Sequence, residues 1–160
     1  MQKKVVVISG YFNPCHMGHI EYARAARDVA GPEGIVYCII NSDAQSHLKK
    51  GYSFIPEKDR LAVMNAMRYI DHAILSVDTD RTVCKTLELL CTSAEYETPT
   101  HFLNDGDVTA QNRCPEEVVC ETHGIALVYA SNGKIQSSSW ILEKSVREAY
   151  HQMSKIYMNL

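Results

Sequence analysis

The chain has 160 residues, a formal net charge of −3, 46% apolar and 22% charged residues, the proportions of one ordinary globular domain with a core of its own. No basic block marks a nucleic-acid footprint, and no run nears the ~18 apolar residues of a membrane span. No cleavable leader is recognisable, so nucleic acid and membrane are excluded as expected partners and the cytoplasm is the expected address. The six cysteines, Cys15, Cys38, Cys84, Cys91, Cys114 and Cys120, form no Cys-x-x-Cys pair, and several sit inside apolar runs, so reduced, buried thiols are expected.

Val5 to Ile8 is a β-branched run of the kind buried on both faces of a parallel sheet. Residues 10–16 read as a loop. Gly18 to about Ala30 has helical periodicity, with Ile20, Ala23 and Ala26 on one face, and Gly31-Pro32 stops it. Ile35 to Ile40 is a second buried strand. A polar stretch through Lys49-Lys50-Gly51 follows, and Pro56-Glu57 opens a helix. His72 to Val77 is a third strand and Thr82 to about Leu90 a helix. Residues 92–99 are a surface loop, and Thr100 to Leu103 is a fourth strand. Pro115 opens a short helix that Gly124 ends, Ile125 to Tyr129 is a fifth strand, and Ser137-Ser138-Ser139 caps a last helix over 138–158.

This alternation predicts an α/β fold: a Rossmann-like, doubly wound, parallel five-stranded sheet in a single domain, residues 1–160, with its core over roughly 4–150. Open α/β sheets bind ligands beyond the carboxyl ends of their strands. The polar clusters at 10–19, 41–50, 104–107 and 131–139 all follow predicted strands, so they should line one cleft.

The segment Gly10-Tyr11-Phe12-Asn13-Pro14-Cys15-His16-Met17-Gly18-His19 joins the first strand to a helix. Unpaired N–H groups at that helix start attract phosphate. Gly10 lets backbone approach a ligand. His16 and His19, three apart across a turn, aim both rings at one point, and Gly18 removes a side chain between them. Two imidazoles on one phosphate suit nucleotidyl transfer, where catalysis is mostly positioning and charge stabilisation. A metal site is the competing reading, but no third ligand is nearby.

Gly-x-Phe-Asn-x-x-His-x-Gly-His after a first strand resembles the nucleotidyltransferases of the cytidylyltransferase-like superfamily. Asn41-Ser42-Asp43, Leu48-Lys49-Lys50-Gly51, Pro56-Glu57-Lys58-Asp59-Arg60 and Tyr69-Ile70-Asp71 resemble heptose-phosphate adenylyltransferases and glycerol-phosphate cytidylyltransferases. Phe102 to Asp107 resembles their Gly-Asp motif, and Ser137-Ser138-Ser139 the motif that opens their last helix.

The resemblance implies that His16, His19 and Lys50 are catalytic. It implies that Gly10, Tyr11, Phe12, Gly18, Asp105, Asp107, Lys134, Ser137, Ser138 and Ser139 bind nucleotide, and that Asp43, Lys49 and Arg60 bind the acceptor. Core packing is the plain alternative for Phe12, helix capping for Asp43 and the serines, turn chemistry for Asp105 and Asp107, and a surface salt bridge for Arg60. Lys134 replaces an arginine some members carry before the last motif. The Phe-Asn-Pro of the loop is similar to mononucleotide adenylyltransferases, which tilts the donor from CTP to ATP. The reading is a Mg2+-dependent nucleotidyltransferase and a homodimer. Its substrates are a nucleoside triphosphate and a small phosphorylated acceptor, a sugar or polyol phosphate. The alternatives are dinucleotide synthesis on a nicotinamide or nicotinate mononucleotide and a non-catalytic nucleotide sensor.

Overall fold

A computed structural model describes residues 3–105, 113–130 and 137–158. Five parallel strands form one sheet in the order β3-β2-β1-β4-β5: β1 Val5–Gly10, β2 Ile35–Ile40, β3 His72–Leu75, β4 His101–Asn104 and β5 Ala126–Tyr129. The helices are α1 Met17–Ala30, α2 Asp43–Lys50, α3 Glu57–Asn65, α4 Cys84–Thr92, α5 Glu117–His123 and α6 Ser138–Met158.

Successive side chains of a strand point to opposite faces. Val6 and Ile8 of β1, with Val36, Cys38 and Ile40 of β2, meet Tyr22, Ala23 and Ala26 of α1 and Met64 of α3. Val5 and Val7, with Tyr37 and Ile39, meet Leu87 and Leu90 of α4 and Cys120 of α5 on the other face. The sheet is therefore doubly wound, as its near-continuous apolar strands predict. Asp71 of the Tyr69-Ile70-Asp71 motif holds this frame: its carboxylate accepts from the Val36 amide at 2.7 Å and pairs with Arg27.

Two elements differ from the sequence expectation. The polar stretch after β2 is a helix, α2, whose buried residues are Gln45 and Ser46 rather than an apolar stripe. Its signal lies in capping instead: Ser42 Oγ accepts from the Gln45 amide at 3.2 Å, and Gln45 Oε1 accepts from the Ser42 amide at 2.9 Å. β3 stops at Leu75, short of Val77, because the chain turns to cap α4. Asp78 accepts from the amides of Lys85 and Thr86 at 2.8 and 2.9 Å, and the Val77 amide donates to Thr86 Oγ1 at 2.9 Å. Among the described residues no helix is long and apolar enough to cross a membrane.

Candidate active site

Parallel strands put every carboxyl end on one edge, so the loops after β1, β2, β3 and β4 meet there. The loop after β1 is folded back on itself. Phe12 has φ 48°, in the left-handed region, and its ring is 1% exposed. A Cβ on Gly10 would lie 3.0 Å from Phe12 Cζ. Gly10 is thus required for the phenyl ring rather than for a ligand's approach, and Phe12 packs in the core rather than lining the cleft. Behind it Asn13, 3% exposed, accepts from the Ile55 amide at 2.7 Å and donates to Ser53 Oγ at 3.1 Å.

Arg60 is also corrected. It does not face the cleft; it is 1% exposed beneath it. Its guanidinium donates to the carbonyls of Ile55 at 2.9 Å, Tyr11 at 2.8 Å and Asn41 at 2.7 Å, and to Asp43 Oδ1 at 2.8 Å. One buried fork thereby ties the loop after β1 to the loop after β2. Asp43 is its partner instead of an acceptor ligand. Asp43 Oδ1 also accepts from Ser53 Oγ at 2.6 Å, and Oδ2 accepts from the Glu57 amide at 3.1 Å, while Glu57 Oε2 accepts from the Asp43 amide at 2.7 Å. The first turns of α2 and α3 cap each other. These bonds and Arg60 outweigh the burial of the Asp43 carboxyl and hold it below its ordinary pKa.

His16 is the N-cap of α1 and His19 lies one turn in. Their rings stack, centroids 3.7 Å apart and 25° from parallel, and Phe12 meets His19 edge-on at 4.8 Å. His19 Nδ1 accepts from the His16 amide at 3.2 Å, so the proton of the neutral ring sits on Nε2, turned away from that amide. Burial, then His16, then Lys50 push the His19 imidazole down to about 3. Burial and Lys50 lower His16 as well, and its Nδ1 is buried with no hydrogen-bond partner. Near neutral pH the pair is uncharged.

Lys50 ends α2, where Gly51 at φ 80° turns the chain. Lys49 Nζ sits 4.4 Å over the Tyr11 ring, a cation–π contact. Sequence reasoning missed Arg81, which follows β3 and donates to the Leu48 carbonyl at 2.9 Å. The α6 end reaches the same place: Ser138 Oγ donates to the Pro14 carbonyl at 2.9 Å, and Ser137 Oγ accepts from the Trp140 amide at 3.2 Å. The N-termini of α1 and α6 therefore converge on the first loop. Ser139 is exposed, as is Asp105 at the end of β4. Gly18 stands in the first turn of α1. Asp107 and Lys134 lie outside the described residues.

Two outcomes follow from these contacts. Arg60→Leu strands three carbonyls and a carboxylate, and should cost about 3–5 kcal/mol in chemical denaturation. A loss under about 1 kcal/mol would show that the fork is dispensable. For His19, the folded pKa lies below the unfolded value of 6.5, so the unfolded chain binds the extra proton between about 3 and 6.5. Stability is then lost as pH falls through that window. His19→Asn, whose Oδ1 can still accept from the His16 amide, should flatten this acid limb by up to about 1.4 kcal/mol per pH unit.

Residues 7–130 match the cytidylyltransferase-like family. The FAD synthase of Methanopyrus kandleri is 30% identical over 77 residues, 48% of this chain and 51% of its own. The bifunctional protein HldE of Citrifermentans bemidjiense is 31% identical over 146 residues, 89% of this chain and 27% of its own. The chain thus spans about half the length of the first relative and about a quarter of the second. The crystal structure of the lipopolysaccharide core biosynthesis protein from Thermoplasma volcanium shares the fold, with a TM-score of 0.62 at 18% identity, over 82% of this chain and 98% of that one. With the matched region running from β1 to the end of β5, the chain belongs to the cytidylyltransferase-like family.

Proposed function

We propose that the chain is a nucleotidyltransferase whose catalytic groups are His16, His19 and Lys50. The observation that carries this reading is the convergence of two helix N-termini, α1 and α6, on the first loop, with two stacked neutral histidines at the start of α1 and the charge of Lys50 bearing on them. Helix N-termini bind phosphate through their unpaired N–H groups and positive dipole ends. The triphosphate lies across them. An oxygen of the acceptor phosphate attacks the α-phosphorus, the bond from that phosphorus to the bridging oxygen breaks, and pyrophosphate leaves with the electron pair.

The His19 Nε2–H and the Lys50 ammonium stabilise charge on the α-phosphoryl oxygens and on the leaving group. Ser137 to Ser139, with Gly18, complete the nucleotide cradle. Tyr11 and Asp105 line its flanks, and the motifs that carry Asp107 and Lys134 support a nucleotide-binding role for those two residues. Mg2+ bound through a triphosphate needs one or two protein carboxylates, and exposed Asp105 at the carboxyl end of β4 fits that requirement.

ATP is the favoured donor, because one relative is an FAD synthase, named for an adenine dinucleotide, and the loop reads Phe12-Asn13-Pro14. The acceptor is a small sugar or polyol phosphate. The same FAD synthase likeness favours a second reading, in which the acceptor is a mononucleotide and the product a dinucleotide. The enzyme works in the cytoplasm as a homodimer, and the exposed apolar residues Val146, Tyr150 and Met153 of α6 support self-association.

Pyrophosphate release, measured with ATP and CTP against phosphorylated sugars, polyols and mononucleotides, separates these readings. His16→Ala and His19→Asn should each cut turnover about 100- to 1,000-fold, the worth of one transition-state donor. Their nucleotide binding and fold should survive. Turnover near wild type in both variants would sink the proposal.

A further inference from the structure

Beyond the histidine pair, the cleft continues into a second cationic wall. Lys50, Lys49 and Arg81 stand close enough that the charges of Lys50 and Arg81 both bear on the Lys49 ammonium. Among the described residues, none of the three makes an ion pair. The neighbouring acid, Asp80, is engaged by Thr82: its Oδ1 accepts from the Thr82 amide at 2.8 Å and from Thr82 Oγ1 at 2.7 Å. Arg81 spends one N–H on the Leu48 carbonyl, and among the described residues the rest of its fork meets no carboxylate.

The wall is also rigid. Gln45, 0% exposed, donates through Nε2 to the carbonyls of Asp80 and Thr82, both at 2.7 Å, so the Arg81 segment is clamped to α2 from within. At the centre lies Tyr11. Lys49 covers its ring, Arg81 and Asp80 both bear on its phenol, and the Tyr11 hydroxyl oxygen is buried without a hydrogen-bond partner. Lys49 and Arg81 are exposed to solvent, whereas the buried Tyr11 hydroxyl lacks a partner that an anion among these cations would supply.

We infer that Arg81, with Lys49 and Tyr11, forms an anion site that binds the phosphate monoester of the acceptor and selects for it. This rests on the nucleotidyltransferase reading and adds Arg81 as a specificity residue. Arg81 supplies a planar fork that matches a phosphate edge, Lys49 a point charge, and Tyr11 a hydroxyl donor. A neutral polyol or sugar lacks the group this wall holds.

The test uses the full chain. Calorimetric titration with glycerol phosphate and with glycerol, with and without a non-reactive ATP analogue, should detect binding of the ester alone. Arg81→Gln should weaken the ester at least about tenfold, the worth of one charge-assisted hydrogen bond, and Arg81→Lys should recover part of it. In pyrophosphate release the Arg81 variants should raise KM for the acceptor that turns over best, with KM for the nucleotide unchanged and kcat changed little. A purely structural Arg81 would lower kcat and thermal stability together. Equal ester binding by Arg81→Gln and wild type overturns the inference, as does ester binding by neither with or without the analogue. Failure of the nucleotidyl-transfer reading shows up separately, as no pyrophosphate from any acceptor while ester binding still depends on Arg81.

Discussion

The guanidinium of Arg60 lies under the cleft as a buried charge, and such a charge persists only when its donors are matched. Here the matches are backbone carbonyls of three different connecting segments and one carboxylate. Tyr11 is in the loop that leads into the histidines, and Asn41 stands just before α2, the helix that ends in Lys49 and Lys50. The relative position of the groups proposed to face phosphate is therefore set from below by a side chain buried beneath the cleft. The mutual capping of Asp43 and Glu57 stiffens the same junction, because two helix starts share one pair of carboxylates.

Above this junction the electrostatics are divided. The histidines are kept neutral by burial and by Lys50, so they act as hydrogen-bond donors rather than cations. Positive charge comes from lysine, arginine and helix ends. The division suits a reaction in which a polyanion must bind and part of it must leave. In the proposed reaction a donor that carries no net charge would hold the oxygens without trapping pyrophosphate, whereas further fixed cations at the same spot would bind the product as tightly as the substrate.

The architecture was legible because its signals are strong: five β-branched or apolar runs, glycine stops after α1 and α5, and polar clusters after strands. Motif order located the loop, the lysines and the α6 start. What sequence could not resolve was which polar residues are buried. Arg60 and Asp43 look like surface or ligand groups in any periodicity count, and only the third dimension closes their network. α2 escaped because a helix that buries glutamine and serine has no apolar stripe, although Ser42-x-x-Gln45 carried the capping signal. Phe12 was undecided between core and cleft. The bulk of its ring and the adjacent Gly10 become decisive only once the loop is seen to fold back.

The bonds from Gln45 to the Asp80 and Thr82 carbonyls reach across from one crossover to the next. They make the segment between β3 and α4 intolerant of changes in length: an added or deleted residue there would carry both carbonyls out of reach and leave a fully enclosed amide unmatched. With this glutamine in place, the proposed acceptor wall can change by exchange of side chains at positions such as Arg81 but not by growth of the loop. New bulk for larger acceptors has to enter from another quarter of the rim.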